Sequence, residues 1–257
     1  MRIESVPPEL GSPLGAAPLS AHAHVWHILG SDADAVLKLA TPDDTTPANP
    51  RYWAREVEAY RSGFAHTVYA AQGLTAPRTL QADSRGDGSV ALWLDYVRGM
   101  SGTTWDLPRW ADFARRLGAA QAASRPAGPS WLFERPPPVG PWATRAAALP
   151  YVLCHLDLRP VDLIARDRDV VLLDWAYAGY GLPGEDLSGL ILAHAGEPEL
   201  ASALETALPA EYARGAGCAE ADVRVAIAAT APAKYGAGAD EATRRMLRTW
   251  AQDAPAD

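Results

Sequence analysis

The sequence predicts an α+β fold in which a small antiparallel sheet is followed by a mainly helical C-terminal part. Short apolar runs separated by turn residues fill much of the first hundred positions, a pattern typical of strands. An apolar stripe at residues 107–123 has helical spacing, and the chain after residue 173 is rich in alanine, a strong helix former. Strands and helices are therefore expected to be largely segregated along the chain.

The composition indicates a protein that folds in water. Of the 257 residues, 48% are hydrophobic, which is enough for a substantial core. No apolar stretch approaches the roughly 20 residues that cross a bilayer, and residues 1–10 lack the pattern of a signal peptide. Two cysteines, Cys154 and Cys218, are too few for a disulfide framework and fit a reducing compartment. We therefore expect a cytoplasmic protein with no membrane partner.

The charge balance bears on the partners. The net charge of −8 disfavours nucleic acid as a partner and favours cationic ligands. The sequence does not indicate an oligomeric state.

Residues 19–39 are predicted to form a strand, a turn and a second strand. The apolar run around Val25 and Ile28 precedes the turn residues 30–32, and a second run, residues 35–39, contains Lys38. A lysine inside an apolar strand needs a partner of opposite charge, because burying an unpaired ammonium is costly.

A helix is predicted to follow, beginning at Asn49–Pro50 and ending near Gly63. Glu56 shares the apolar face of this helix with Val57 and Tyr60, so it also needs a partner. The two isolated charges predict an ion pair between Lys38 and Glu56.

The remaining elements follow from the same patterns. A strand is predicted within residues 89–97, a helix at 107–123 and a proline-rich loop at 126–141. Short strands are predicted at 151–154 and 170–173, before the alanine-rich helices.

Three carboxylates at strand and turn ends carry the chemical signal. Asp157 and Asp162 lie in the segment HLDLRPVDLI, and Asp174 follows the strand that comes next. Any one of them could be a turn former or a helix cap. Phosphoryl transfer needs a carboxylate aimed at the acceptor hydroxyl and oxygen ligands that hold magnesium against phosphates. The three together, in this order, indicate such a site.

These segments resemble a known family. HLDLRPVDLI followed by VVLLDWAYAGYG is similar to the catalytic loop and metal-binding segment of the aminoglycoside phosphotransferase and choline kinase superfamily. AVLKL, RYWAREVEAYRSG and VALWLDYV resemble its upstream elements, so the likeness spans roughly residues 19–190. The resemblance implies a bilobal protein-kinase-like fold: a small antiparallel-sheet nucleotide-binding lobe, 1–97, and a mainly helical catalytic and acceptor-binding lobe, 98–257.

The resemblance also implies residue roles. Lys38 would contact the nucleotide phosphates and Glu56 would hold Lys38, while Asp157 would act as the catalytic base. Asp162 and Asp174 would bind Mg²⁺, and the nucleotide would be ATP, with GTP as the alternative.

Further roles concern the nucleotide edge and the shape of the catalytic loop. The adenine edge would lie at Leu94, Asp95 and Val97. His155 is interpreted as a hydrogen-bonded residue that shapes the loop, in preference to a proton carrier, and Arg159 is assigned to the same task.

Three departures from the family pattern stand out. Asp162 occupies a position usually held by asparagine, which adds negative charge beside the other two carboxylates. The phosphate loop, residues 19–24, lacks glycine, so Ser20 and His22 would contact the phosphates instead. The segment between Ser124 and His155 looks shorter than the family's helical insertion, which helps to form the acceptor pocket.

Three functions follow as alternatives. The first is a kinase that phosphorylates a hydroxyl of a small cationic natural product, as in antibiotic resistance or self-protection. The second is a kinase acting on Ser or Thr of a precursor peptide, and the third is a kinase-like scaffold or binding protein without turnover.

Overall fold

The computed structural model describes residues 11–13, 23–28, 34–124 and 128–252. Within these ranges the largest sheet is antiparallel, with its five strands in the order β1-β2-β3-β6-β5. The strands of this sheet are β1 (Gly11–Pro13), β2 (Ala23–Ile28), β3 (Ala35–Ala40), β5 (Thr79–Ser84) and β6 (Val90–Asp95).

The hairpin prediction is confirmed. β2 and β3 pair antiparallel, with Val25 opposite Lys38, and Lys38 is in turn opposite Leu92 of β6. Lys38 therefore lies on a central strand of the sheet. The edge strand β5 was not predicted, because its sequence TLQADS is polar and mostly solvent-facing and so lacks the apolar signal of a strand.

Helix α1 (Arg55–Arg61) corrects the predicted helix start at Asn49–Pro50. The Asn49 side chain accepts a hydrogen bond from the Arg51 amide at 2.9 Å, which stabilises a turn rather than a helix cap. The carbonyls of Pro47, Asn49 and Pro50 accept from the Arg55 guanidinium instead of from a helical ladder. The helix therefore begins only at Arg55.

The C-terminal part is mainly helical, as predicted. Helix α3 covers the predicted range, and its Trp110, Phe113 and Leu117 are buried. The helices, two of which precede this part, are α1, α2 (Phe64–Thr67), α3 (Leu107–Ala123), α4 (Ala143–Ala147), α5 (Leu187–Leu192), α6 (Pro198–Ala216), α7 (Glu220–Tyr235) and α8 (Glu241–Gln252).

Helices α3 and α6 approach each other at backbone distance. A Cβ atom on Gly118 would lie 2.2 Å from the carbonyl oxygen of Tyr212, and one on Gly215 would lie 1.8 Å from that of Arg115. Glycine is therefore required at both contacts, where the backbones of α3 and α6 touch.

Two small sheets carry the segments that hold the predicted carboxylates. In the first, β4 (Leu74–Thr75), β11 (Asp169–Leu172), β10 (Leu163–Arg166) and β7 (Met100–Ser101) are neighbours in that order. In the second, the order is β8 (Phe133–Glu134), β12 (Gly179–Gly181) and β9 (Val152–Cys154). The loop containing Asp157 leaves β9, and the segment containing Asp174 leaves β11.

Within the described ranges, no helix is both long and apolar enough to span a membrane. Cys154 is a buried free thiol and Cys218 an exposed one.

Candidate active site

Lys38 joins the N-terminal sheet, helix α1 and the Asp174 segment. Its Nζ lies 2.6 Å from Oε1 of Glu56 and 3.6 Å from Oδ1 of Asp174. Burial opposes the ammonium charge, but Asp174 and Glu56 outweigh it and raise the pKa of Lys38. Lys38 is therefore a fixed positive charge between two carboxylates, and the ion pair expected from the sequence is present.

Asp174 has an unusual backbone. Its φ of 59° lies in the left-handed region, which costs a non-glycine residue on the order of 1 kcal/mol or more. Burial works against ionisation of its carboxyl, but Lys38, His155 and Arg159 prevail and lower its pKa. Asp174 is thus held ionised on a strained turn before the short helix Trp175–Tyr177.

The loop that follows β9 is held by Asp186, at the start of helix α5. Leu156 also has a positive φ, 65°. The Asp186 carboxylate accepts hydrogen bonds from the backbone amides of His155 at 3.0 Å and Leu156 at 2.7 Å. These two bonds stabilise the strained turn immediately before Asp157. The sequence analysis assigned Asp186 no role.

A buried polar network extends from Asp186 into the helices. Gln121 of α3 donates to Asp186 at 2.8 Å and accepts from the Tyr212 hydroxyl at 2.6 Å. Tyr69 donates to the carbonyl of Leu153 at 2.6 Å and accepts from the Gln121 amide at 3.4 Å. The catalytic-loop candidate is thereby tied to α3 and α6 through satisfied buried groups.

His155 is fully buried and joins the two carboxylate segments. Its Nε2 lies 2.7 Å from the carbonyl oxygen of Leu173, and its ring centroid lies 5.0 Å from that of Trp175. This geometry suits the predicted loop-shaping role and leaves the ring no exposure from which to carry a proton to an acceptor.

Asp157 lies between two cations. Its Oδ2 is 3.8 Å from Nη2 of Arg159, and its Oδ1 is 3.7 Å from Nζ of Lys234. Lys234, in the last turn of α7, also donates a hydrogen bond to the carbonyl of Leu156. The sequence analysis missed Lys234; its one available signal was that the chain contains only two lysines.

Asp162 is 5% exposed and bonded to Arg159. Its Oδ2 accepts from the Arg159 amide at 3.1 Å and from Arg159 Nε at 3.2 Å, while Oδ1 takes no part in these bonds. Burial raises the pKa of Asp162 to about 6, with smaller contributions from Asp174 and Asp157. The negative charge that the sequence places beside the other two carboxylates contributes to this shift, but burial is its main cause.

The carboxylates suit Mg²⁺ shared with a nucleotide. The Leu173 amide donates to the Asp162 carbonyl at 2.8 Å, which couples the two segments directly before Asp174. Within the described part of the chain no three His, Cys, Asp or Glu side chains form a metal cage. Mg²⁺ is commonly held by one or two carboxylates together with substrate phosphates and water, so Asp162 and Asp174 fit that donor set.

Arg55 was also missed from the sequence. It is fully buried and donates to five backbone carbonyls, among them Ala176 at 3.2 Å and Trp131 at 3.2 Å. Burial lowers its pKa to about 10, so it remains protonated at neutral pH. Arg55 therefore fastens the start of α1 to the segment that follows Asp174.

The predicted adenine-edge residues differ in their surroundings. Leu94 and Val97 are buried, at 2% and 8% exposure. The Asp95 carboxylate is bonded to Arg78 at 2.8 and 3.0 Å and lines an open cavity of about 800 Å³ that does not include Lys38 or Asp157. Ser20 and His22, the predicted phosphate contacts, lie outside the described residues.

Solved kinases share this fold. An amicoumacin kinase in complex with AMP-PNP and Ca²⁺ is 11% identical, with a TM-score of 0.60 over 96% of this chain and 88% of that chain. A microcompartment-associated aminopropanol kinase is 16% identical, with a TM-score of 0.57 over 94% and 89% of the two chains. An aminoglycoside phosphotransferase from Streptomyces rimosus is 22% identical, with a TM-score of 0.50 over 84% and 90%. At these identities the likeness concerns the fold alone, and it confirms the predicted kinase-like α+β class.

The sequence comparisons match a shorter part of the chain than the structural comparisons do. No curated protein matches the chain significantly in sequence. The model described as "APH: Phosphotransferase enzyme family" matches residues 101–218, the stretch that holds Asp157, Asp162 and Asp174. The match covers 118 of the 257 residues, and over this stretch the chain is similar to that family.

Proposed function

We propose that this protein is an ATP-dependent kinase that transfers the γ-phosphoryl group to a hydroxyl of a small molecule. The observation that carries the proposal is the position of Lys38, whose ammonium lies between Glu56 and Asp174. A fixed cation beside a carboxylate that can hold a metal is what the phosphates of a nucleotide require. The proposal divides the work between a nucleotide-binding part, residues 1–97, and a catalytic and acceptor-binding part, residues 98–257.

The residues on the nucleotide side receive the following roles. Lys38 contacts the phosphates and Glu56 keeps its ammonium in place. Asp162 and Asp174 hold Mg²⁺, which when bound offsets the negative charge of the phosphates. Leu94 and the neighbouring backbone face the adenine edge, and Ser20 and His22 contact the phosphates.

On the acceptor side Asp157 is the base. Its carboxylate takes the proton of the acceptor hydroxyl as the acceptor oxygen forms a bond to the γ-phosphorus. The bond from that phosphorus to the oxygen bridging to the β-phosphate breaks, and ADP leaves with its electron pair. His155 and Arg159 position the loop: His155, two residues before Asp157, bonds the Leu173 carbonyl, and Arg159, two residues after it, bonds Asp162.

The acceptor is a separate choice. A cationic natural product is favoured by the net charge of −8, whereas a Ser or Thr of a precursor peptide and a scaffold without turnover are the alternatives. The charges around Asp157, considered in the next subsection, bear on this choice more directly than the charge of the whole chain does.

Two substitutions test the kinase assignment. Asp157→Asn removes the base but preserves shape, so kcat for ATP consumption is expected to fall at least 100-fold with little change in nucleotide affinity. Asp174→Ala removes a metal ligand, so Mg²⁺-dependent nucleotide binding measured by calorimetry is expected to weaken strongly.

Asp112→Asn provides the control. Asp112 lies on the exposed side of α3, with its side chain 50% exposed, and should leave both quantities unchanged. Wild-type turnover in Asp157→Asn would refute the role of the base. Binding of Mg²⁺-nucleotide without turnover in the wild type would favour the scaffold.

A further inference from the structure

Both lysines of this chain lie at the candidate active site. Lys38 and Lys234 are the lysines among 23 basic residues, and all the others are arginines. Lysine offers a compact ammonium, whereas arginine offers a broad planar fork, so the two are not interchangeable. Lysine at two site positions of an arginine-rich chain indicates that each position needs a compact cation. Glu56 and Asp174 account for Lys38, but the nucleotide side does not account for Lys234.

Lys234 is held firmly beside Asp157. It donates to the Leu156 carbonyl, and its Nζ lies 3.7 Å from Asp157 Oδ1 and 4.8 Å from the ring centroid of Tyr235. Burial opposes the charge, but Tyr235 and Asp157 prevail and raise the pKa of Lys234. The ammonium therefore persists at neutral pH, and its side chain remains 18% exposed, so a ligand can reach it.

The neighbouring carboxylates are already engaged. Glu185 is 3% exposed and accepts from Arg135 Nη2 at 2.6 Å and from the Leu182 amide at 2.8 Å. Asp186 is 1% exposed and is occupied by the two backbone amides and Gln121 described above. Neither carboxylate is available to bind an ammonium group of an incoming acceptor.

Apart from Asp162 and Asp174, which the proposed function assigns to the metal, the partly exposed charges that flank the base are positive: Lys234, 18% exposed, lies on one side and Arg159, 31% exposed, on the other. We propose that Lys234 determines acceptor specificity, and that the preferred acceptor carries a carboxylate or another anionic group beside the hydroxyl that is phosphorylated. This inference rests on the proposed kinase function, and it replaces the cationic acceptor that the net charge favours with an anionic one.

The net charge of −8 does not conflict with this inference. Charge spread over the whole chain acts at long range and is screened beyond about 8 Å at physiological salt. Lys234 acts at contact distance, where an ammonium on the acceptor would meet a like charge and a carboxylate would meet an opposite one.

Three matched probes can measure the preference. Lactate, 1,2-propanediol and 1-amino-2-propanol each present the same secondary hydroxyl beside a carboxylate, a neutral group and an ammonium, respectively. We expect kcat/KM with Mg²⁺-ATP to be highest for lactate. In Lys234→Gln the ratio of kcat/KM for lactate to that for 1,2-propanediol should fall at least tenfold, and Lys234→Arg should retain a preference for the anion.

The scarcity of lysine allows a second readout that does not depend on turnover. Labelling with ¹³Cε,¹⁵Nζ-lysine yields two side-chain NMR signals, which Lys38→Arg and Lys234→Arg assign. In the full-length protein with Mg²⁺ and AMP-PNP, lactate should shift the Lys234 signal more than 1-amino-2-propanol does at equal concentration. AMP-PNP itself should shift Lys38, which serves as the internal control.

The outcomes separate the two proposals. A wild-type preference for 1-amino-2-propanol, or a Lys234→Gln variant that loses all three acceptors equally, would overturn the specificity role, because a purely structural lysine leaves the ratio unchanged. Failure of lactate to shift Lys234 would overturn it as well. Absence of ATP consumption with every acceptor and with water would refute the kinase function, whatever the NMR result for Lys234.

Discussion

Two buried charges of opposite sign hold the two halves of the candidate site. Arg55 directs a guanidinium at five backbone carbonyls and fastens the segment after Asp174. Asp186 directs a carboxylate at two backbone amides and Gln121 and fastens the turn before Asp157. Within the described part of the chain, neither forms an ion pair.

The difference between them lies in what each charge is bonded to. The Arg55 guanidinium donates hydrogen bonds to five backbone carbonyls. Removing this side chain would leave all five carbonyls without that donor. Asp186 belongs to a hydrogen-bonded network with Gln121, Tyr69 and Tyr212. When one member of this network is changed, the other hydrogen bonds remain. We infer that the position of the Asp174 segment depends on Arg55 alone. The turn before Asp157 depends on Asp186 together with its hydrogen-bonded network.

The largest expected effect is that of Arg55→Met. It leaves five part-buried backbone carbonyls without this donor, which at about 1 kcal/mol per bond should cost about 4 to 5 kcal/mol of unfolding free energy in urea denaturation. Arg61→Met is the control, because Arg61 is exposed and bonds only Ala82 and Ser84 at the surface, so it should cost well under about 1 kcal/mol. Similar unfolding free energies for both variants would show that Arg55 does not hold the segment after Asp174 in place.

Asp186→Asn should have the next largest effect. The amide can accept one of the two backbone bonds but turns its NH₂ group toward the other donor, so we expect a loss of about 3 to 4 kcal/mol and a large fall in kcat. The exposed Asp112→Asn is again the matched change. Retention of kcat in a folded Asp186→Asn protein would mean that the turn before Asp157 needs no support.

Asp162→Asn should stabilise the protein in a pH-dependent way. The pKa of Asp162 in the folded protein is about 6, above its ordinary value of 3.8, so the folded state loses stability as pH rises from about 4 through 6. Asparagine does not titrate, so the variant should exceed the wild type by about 2 to 3 kcal/mol at pH 7 and by little at pH 4.

Thermal melting without metal checks the Asp162 prediction. Mg²⁺ should narrow the gap, because the cation already offsets the wild-type carboxylate. If the difference in melting temperature between Asp162→Asn and the wild type is the same at pH 4 and pH 7, the raised pKa of Asp162 is contradicted. Melting that ignores Mg²⁺ in both proteins would remove Asp162 from the metal site.

The smallest expected effect is that of Tyr69→Phe. It deletes one hydroxyl at the outer edge of the Asp186 network and leaves the Leu153 carbonyl without that donor. We expect a loss of about 1 kcal/mol with kcat within a factor of three. If Tyr69→Phe loses as much unfolding free energy as Asp186→Asn, the network acts as a single unit, and its hydrogen bonds do not contribute independently.

Local pattern predicted much of the fold. Helix α3 runs over the predicted residues because its apolar stripe and terminal signals agree. The pairing of Lys38 with Glu56 could also be predicted, because each was an isolated charge on an apolar surface. The start of α1 could not, since Asn49 and Pro50 suit a turn and a helix equally and a distant guanidinium decides between them.

The missed site residues share a physical reason. Nothing in the local sequence distinguishes Arg55 from Arg61, the other arginine of α1, and the partners of Arg55 lie as far away as Trp131 and Ala176. Lys234 lies in an alanine-rich helix whose sequence contains no sign of the catalytic loop. Both act through contacts that only the folded chain creates, so local periodicity cannot find them.

The placement of β4 affects how this protein can be dissected. Leu74–Thr75 precede the proposed boundary at 97/98, yet β4 pairs in parallel with β11, the strand that leads to Asp174. A fragment that begins at residue 98 would therefore expose the edge of β11, and open strand edges promote association between chains. A soluble fragment that retains the three candidate-site carboxylates would have to begin before Leu74, so the chain is not modular at the point where its proposed function divides.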